Sequence, residues 1–481
     1  MKFITTSIVY TNADPHIGFA MELIQADVLA RFWRQQKEKV LFSTGVDEHG
    51  MKIYRSTINL ESQKSKVKSQ NIGIVKKFVN EKTAKYQRLT KTLNISNDDF
   101  IRTTDKKRHW PAVGKIWRQL ASQGDIYKKS YEGWYCSGCE AFLRPRDLVD
   151  NRCPNHQEPE LIKEENYFFN LTKYLPAVIE LIQSDKIKIL PETRKAEILS
   201  LAEDSQDVSF SRPAEKLPWG IPVPDDPSQT IYVWCDALTN YLSVIGYGQN
   251  PAKFKRWWPA DIHLIGKDIL RFHALIWPAM LLAADLELPK QIFVHGFINF
   301  GGQRVSKSSG NVVDPFILVD KYGVDAVRYF LLREIPSDGD GDFSPSRLEQ
   351  RYNGDLADDL GNLLLRLLTL GQRVKLRPGF KPVGAKAINI KKEISGFKLH
   401  LALQKIWLEI SELNQEIERL KLWQLIKDKP AVGREKTGEL LARLNQVAIA
   451  LEPFLPATSA KLIHSLATGE KIVLFRKGNG S

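Results

Sequence analysis

An α/β protein, with a parallel sheet split by an insertion and a helical bundle behind it, is the fold this sequence predicts. Three observations carry that expectation. A strand-like run, a helical run and a second strand-like run open the chain. Buried strand-like runs return after residue 225, and beyond about residue 345 only helical periodicity is left. Strand, helix, strand in that order is a parallel unit, and ligands of such sheets gather at the strands' carboxyl ends.

Residues 3–9 alternate as a strand does, and Asp14 and Pro15 are expected as helix N-cap and first-turn proline. Ile17, Met21, Ile24, Val28 and Phe32 follow at helical spacing. Val40, Leu41, Phe42, Ser43 and Thr44 make a second strand that ends at the polar group Asp47-Glu48-His49-Gly50. Between about 100 and 225 cysteines, prolines and short aromatic runs break the pattern. The runs Thr230-Ile231-Tyr232-Val233-Trp234, Ile262-His263-Leu264-Ile265-Gly266 and Ile292-Phe293-Val294-His295-Gly296 then read as three more strands of the same sheet. The expectation is one Rossmann-like domain in two halves, 1–100 and 226–298, split by an insertion at 101–225. A region 299–358 follows, then an all-α domain at 359–481. Leu403, Ile406, Ile410, Leu413, Ile417 and Leu420 mark one long amphipathic helix of it, and Leu440, Leu444, Val447 and Leu451 another. Arg377-Pro378-Gly379 and Lys381-Pro382 are expected in a linking loop.

With 481 residues the chain is too long for a single core. A hydrophobic content of 43% describes a globular protein, which excludes a disordered one. The formal charge of +13 favours a polyanionic partner, although charge alone is equally compatible with a merely soluble basic surface. Lys64, Lys66, Lys68, Lys76, Lys77, Lys82 and Lys85 read as a solvated face. No apolar run is long enough to span a bilayer, so no membrane partner is expected. Four cysteines in so long a chain do not make a secreted disulfide framework, and a cytoplasmic location is expected. No appended dimerisation domain is visible, and a monomer is expected.

Two short signatures carry chemistry. Asp14-Pro15-His16-Ile17-Gly18-Phe19 stands where a strand runs into a helix. Exposed N–H groups and the positive end of the helix dipole attract phosphate there. Gly18 lets a ligand approach, and His16 can donate to charge forming during displacement. Gly301-Gly302-Gln303-Arg304-Val305-Ser306-Lys307-Ser308-Ser309-Gly310 supplies hinge freedom and Lys307, which could neutralise a departing pyrophosphate. Read singly, the first is a capped helix with a packing glycine and the second a solvated basic loop. The pair together indicates nucleoside triphosphate chemistry.

A third cluster is a metal candidate. Cys136-Ser137-Gly138-Cys139 and Cys153-Pro154-Asn155-His156 are two paired-ligand turns with thirteen residues between them. Cys136, Cys139, Cys153 and His156 match a closed tetrahedral Zn2+ knuckle, one per chain and structural because no position stays open. A redox pair or two unrelated turns are the alternatives, and neither explains the second pair. Cys235 is left over as a core thiol.

The first two signatures resemble the HIGH and KMSKS motifs of class I aminoacyl-tRNA synthetases. The likeness narrows to the methionyl-tRNA synthetases through Gly45-Val46-Asp47-Glu48-His49-Gly50, Glu164-Glu165-Asn166-Tyr167-Phe168-Phe169 and Tyr232-Val233-Trp234-Cys235-Asp236-Ala237. Leu264-Ile265-Gly266-Lys267-Asp268-Ile269, Trp277-Pro278-Ala279 and Asp359-Leu360-Gly361-Asn362 add to it, in order over nearly the whole chain. Two positions depart: Phe19 stands where the family usually has a second histidine, and Arg304-Val305 where lysine and methionine are usual.

The resemblance implies a ligase that joins methionine to ATP as methionyl-adenylate and passes the methionyl group to tRNA(Met). It implies His16 and Lys307 as catalytic residues, with Gly18, Gly266, Asp268, Ile298 and Arg304 also at the ATP and Mg2+ assisting at its phosphates. Methionine would lie among Tyr10, Trp234, Ala237, Tyr241, Ile269 and His273, with Asp47 on its ammonium group. Residues 299–358 would carry the KMSKS loop and contact the tRNA stem. Asn362, Arg366 and Trp423 of the last domain would read the anticodon, although Trp423 could equally pack between helices. A tRNA-binding relative that has lost catalysis is the alternative, supported by Phe19 and Arg304 alone.

Overall fold

The N-terminal run forms strand β1, Lys2–Tyr10, and among the described residues of the computed structural model twelve further strands follow before residue 296. The structure describes residues 1–64, 72–136, 141–143, 148–154, 159–301, 303–304, 313–376 and 385–477. The strands are β2 (Val40–Asp47), β3 (Asp99–Arg102), β4 (Ile126–Cys136), β5 (Ala141–Leu143), β6 (Glu160–Phe169) and β7 (Lys188–Leu190). Next come β8 (Val208–Ser209), β9 (Ser211–Pro213), β10 (Pro222–Val223), β11 (Asp226–Ile231), β12 (Ile262–Gly266) and β13 (Gln291–His295). The chain divides into two units. Met1–Pro15, Lys39–Arg88 and Asn97–Val294 form the first; His16–Glu38, Leu89–Ser96 and His295–Ser481 form the second.

The main sheet of the first unit has the order β3-β2-β1-β12-β13-β7. Its β1–β2, β2–β3, β1–β12 and β13–β7 pairings are all parallel. This bears out the expected Rossmann-like parallel sheet. The strand order grows outward from β1 in both directions, with β2 on one side and β12 on the other. The switch point therefore lies between β1 and β12, and a crevice is expected at their carboxyl ends.

Two details differ from the sequence reading. The run at 230–234 is not a strand of the main sheet. β11 belongs to a three-stranded sheet of order β10-β11-β9, and residues Val233–Leu238 turn into a helix. A short apolar run has no period that tells a sheet strand from a helix start. Conversely, β7 from within the insertion adds a strand to the main sheet beside β13. The insertion also holds a four-stranded sheet, β5-β4-β6-β8, whose pairings are antiparallel, built on the long β4–β6 ribbon.

The first helix, Ile17–Gln35, belongs to the second unit, and its N-cap is His16 rather than Asp14. Asp14 is instead held by Lys82 at 2.7 Å and Lys85 at 2.8 Å. Two charge-assisted partners outweigh a single cap bond, and they remove these two lysines from the purely solvated face expected of them.

The other helices of the second unit include Val324–Arg333, Asn362–Arg373, Leu399–Arg419, Leu422–Asp428, Pro430–Leu451 and Pro456–Thr468. The helix Leu399–Arg419 buries Leu403, Ile406, Ile410, Leu413 and Ile417, and the helix Pro430–Leu451 buries Leu440, Leu444, Val447 and Leu451, as their spacing predicts. Arg328 is fully buried. It pairs with Asp27 at 2.8 Å and donates to the carbonyls of Leu93, Pro453 and Phe454. That fork ties the first helix to the end of the helix Pro430–Leu451 within this unit. The linking loop at 377–382 lies outside the described residues.

Candidate active site

In the first unit the carboxyl ends of β1 and β2 bring Tyr10 and Asp47 side by side, since they are register partners. Asp47 is 4% exposed; its main-chain oxygen accepts from the Thr11 amide at 3.0 Å, and Oδ1 from the His49 amide at 3.3 Å. The next residue, Glu48, is fully buried and accepts from Thr83 Oγ1 (2.5 Å), Arg102 Nε (2.8 Å) and the Thr104 hydroxyl. These partners pin the end of β2 beside β3, so Asp47 is presented on a rigid support.

At the end of β12 the chain passes through Gly266 into a turn at Lys267–Ile269 and a single π-helical turn at Phe272–Ile276. A π turn shifts the helix register and often marks a site. Here it places Phe272 flat on Trp234, with ring centroids 3.6 Å apart and planes 5° apart. The next side chain, His273, stands edge-on to Trp234 and accepts or donates at Tyr241 Oη, 2.8 Å away.

The partners settle the tautomer. His273 Nδ1 faces the Ile269 carbonyl at 3.0 Å, and a carbonyl only accepts, so Nδ1 carries the hydrogen. Nε2 therefore accepts, and Tyr241 donates to it. His263 lies behind at 4.1 Å from the Tyr241 ring; it accepts from Trp277 Nε1 at 3.2 Å and so donates through Nδ1 to Thr5 Oγ1 at 2.7 Å. Burial holds both imidazoles neutral. It pushes His273 down to about 4 and His263 well below the usual histidine range, with His273 adding to the latter.

That neutrality has a consequence for stability. The unfolded chain binds protons on these two imidazoles near pH 6.5, whereas the folded one refuses them down to about 4 for His273. Their contribution is complete above pH 6.5 and is lost as pH falls from there. Each should contribute a slope of up to about 1.4 kcal/mol per pH unit in that window. Urea unfolding midpoints measured at pH 7.5 and pH 5.5 should differ accordingly, and equal midpoints would contradict it.

The implied residues of this unit thus fall into two groups at one end of the sheet. Tyr10 and Asp47 form one; Trp234, Tyr241, Gly266, Ile269 and His273 form the other. Ala237 lies in the helix Val233–Leu238 with Trp234, and Asp268 is exposed in the turn after β12. Trp234 Nε1 is buried and has no partner among the described residues.

In the second unit His16 caps the helix Ile17–Gln35 through its own ring, Nδ1 accepting from the Gly18 amide at 3.1 Å. A β-carbon on Gly18 would lie 2.9 Å from His16 Cε1, so only glycine leaves room for the ring. Phe19 is buried at 5%, an apolar position of the helix. The amide of Ile17 donates to the carbonyl of Val313 at 3.1 Å, tying the helix start to a residue six positions beyond Lys307. Lys307 itself lies outside the described residues, and Ile298 is buried at the start of the strand Ile298–Phe300. Arg304 lies in the strand Gln303–Arg304, which pairs with that strand.

The same unit holds a groove of about 600 Å³ lined by Asn362 and Arg366 with Asp358, Asp359, Asn414 and Glu418 among others. Arg366 is ion-paired to Glu418, and Asn362 donates to Asp358 at 3.2 Å. Trp423 is 43% exposed near the start of the helix Leu422–Asp428. In the insertion Cys136 ends β4 and Cys153 follows a tight bridge between Val149 and Arg152; both are buried. Cys139 and His156 lie outside the described residues. Sequence reasoning passed over His49, His109, Glu48 and Phe272 as site residues; only the polar cluster at 47–50 gave a signal for two of them.

A family model described as tRNA synthetases class I (M) matches residues 2–160 and 147–368. The chain belongs to that family. A methionine–tRNA ligase of Clostridium perfringens is 44% identical over 97% of this chain and 73% of its own length. That of Thermotoga maritima is 39% identical over 98% and 76%. Among solved structures, Mycobacterium tuberculosis methionyl-tRNA synthetase in complex with methionyl-adenylate superposes with a TM-score of 0.87 at 35% identity, covering 97% of this chain and 96% of that one. Its apo form gives 0.80 at 34% identity, covering 97% and 92%. Membership in the family brings with it the mixed α/β architecture described above, a parallel-sheet core with a helical C-terminal region.

Proposed function

We infer that this chain is a methionine–tRNA ligase. Likeness to methionine–tRNA ligases over nearly its whole length carries that reading, and the first unit's site fits the substrate. A thioether suits a soft aromatic pocket, which Trp234, Tyr241 and the uncharged His273 supply. A desolvated ammonium needs a carboxylate, which Asp47 supplies. The methionine carboxylate oxygen would attack the α-phosphorus of ATP, forming the acyl phosphate bond as the bond to the β-phosphate oxygen breaks and pyrophosphate leaves. The 2′-hydroxyl of the terminal adenosine of tRNA(Met) would then attack the carbonyl carbon and release AMP. Mg2+ bound with the triphosphate supplies charge neutralisation.

No side chain need act as a nucleophile; positioning and electrostatics are enough. His16, with its hydrogen on Nε2 because Nδ1 accepts from Gly18, would donate to the phosphates together with the helix N-terminus. In the second unit Gly18 and Ile298 would contact the nucleotide, and in the first unit Gly266 and Asp268 would. Lys307 would complete the site. The charge of +13 and the groove of Asn362 and Arg366, with Trp423 open for stacking, support recognition of an unpaired anticodon. Among the described residues no helix is long and apolar enough to cross a membrane.

ATP–pyrophosphate exchange should depend on methionine and on no other of the common amino acids. A folded chain that exchanges with a different amino acid, or with none, contradicts the assignment. For the insertion we propose a structural zinc site. Its two described ligands, Cys136 and Cys153, are buried thiols in a turn-rich segment, which suits thiolate coordination; Cys139 and His156 would complete four ligands. Metal analysis of the purified chain should give about one zinc per chain, with loss on Cys153→Ala. Metal-free protein of equal stability would rule the site out.

A further inference from the structure

Asp236 lies between Trp234 and Ala237 in sequence, but it is buried at 1% exposure. Each of its carboxylate oxygens meets a different histidine. His49 Nδ1 reaches Oδ2 at 2.6 Å, and His109 Nε2 reaches Oδ1 at 2.5 Å. The other nitrogen of His109, Nδ1, meets Ser243 Oγ at 2.8 Å. Ser243 Oγ also stands 3.0 Å from the Thr239 carbonyl, so His109 is held from both sides of its ring. An ionised carboxylate only accepts, so the ring hydrogens that face it lie on His49 Nδ1 and His109 Nε2. Burial raises the Asp236 carboxyl, but the two histidines outweigh it and hold it below the usual carboxylate range.

Three elements meet on this one carboxylate. His49 stands two residues beyond Asp47 and donates its amide to Asp47 Oδ1. His109 precedes the helix Trp110–Ser122, and Asp236 belongs to the helix that bears Trp234 and Ala237. The clamp thus registers the Asp47 side of the pocket against its aromatic side. It is separate from the ring of partners around Glu48, which fixes the end of β2 by itself.

We propose that His109 is a positioning residue for methionine activation: by gripping Asp236 it sets the spacing between Asp47 and the Trp234–Ala237 wall, and so the fit of the amino acid. The proposal rests on the methionine-pocket reading above. None of the bonds in the clamp involves a residue implied at the triphosphate, so its loss should be felt by methionine and not by ATP.

The test uses the full chain, with His109→Gln and Ser243→Ala compared with wild type in methionine-dependent pyrophosphate exchange. The glutamine side chain in His109→Gln can bond Asp236 but cannot also reach Ser243. The KM for methionine should rise about tenfold or more in His109→Gln and about threefold in Ser243→Ala. The KM for ATP should stay within about twofold in both. Methionine KM values unchanged, or methionine and ATP values rising together as in a general loss of packing, overturn the proposal. Should His109→Gln fail to fold, Ser243→Ala, which removes one oxygen, decides alone. A wild-type chain without methionine-dependent exchange would instead overturn the underlying pocket reading.

Discussion

Asp47→Ala is expected to lower kcat/KM for methionine by about 10²–10³-fold while leaving ATP binding near its wild-type value. The carboxylate is 4% exposed, and its Oδ1 is oriented by the His49 amide. Removing one partner of a buried charge pair leaves the other uncompensated, at about 3–5 kcal/mol. With a tenfold change per about 1.4 kcal/mol, the lower part of that span gives the stated range. Asp47→Asn separates charge from shape. It keeps the acceptor oxygen for the His49 amide, so the loop should hold, and most of the loss should persist. Steady-state exchange kinetics with methionine varied at saturating ATP give the number. A KM within twofold of wild type in both variants would remove Asp47 from the ammonium site.

How much of this was legible beforehand follows from the distance over which each feature is encoded. The first two strands and the helix between them were readable because their periodicities run over many consecutive residues. The bundle helices were readable for the same reason. β7 escaped because three residues carry no period, and the run at 230–234 misled because a short apolar stretch is shared between β11 and a helix start. The helix cap is expected at Asp14, a residue type that favours caps, but Lys82 and Lys85 arrive from 68 and 71 positions away and take its carboxylate. His16 then caps in its place with the same ring that the motif implied for phosphate. The clamp on Asp236 was invisible for the strongest reason: its histidines lie 187 and 127 positions away, and no local pattern announces a pairing at that range. What a motif gives is the residue that touches substrate. What the fold adds is the set of residues that hold it still.

The second large effect belongs to the helix start, where capping and phosphate chemistry converge on one imidazole. Nδ1 of His16 accepts from the Gly18 amide, which assigns the hydrogen to Nε2 and aims a single donor away from the helix. His16→Asn is therefore an informative replacement. Asparagine is a good N-cap and should preserve helix and stability, yet its side chain ends well short of where Nε2 stands. Its kcat for adenylate formation should fall about 10²–10³-fold, the scale for removing one preorganised donor to developing charge. Gly18→Ala approaches the same point from the other side. The added β-carbon would fall 2.9 Å from His16 Cε1 and 3.0 Å from Nδ1, so the ring must move although the histidine remains. Its kcat should drop in the same direction, with methionine affinity near wild type, because the residues implied around methionine all lie in the other unit. Single-turnover adenylate formation, measured beside thermal unfolding, distinguishes the outcomes. Full activity in His16→Asn would show that the helix end alone handles the phosphates and that the imidazole serves only as a cap.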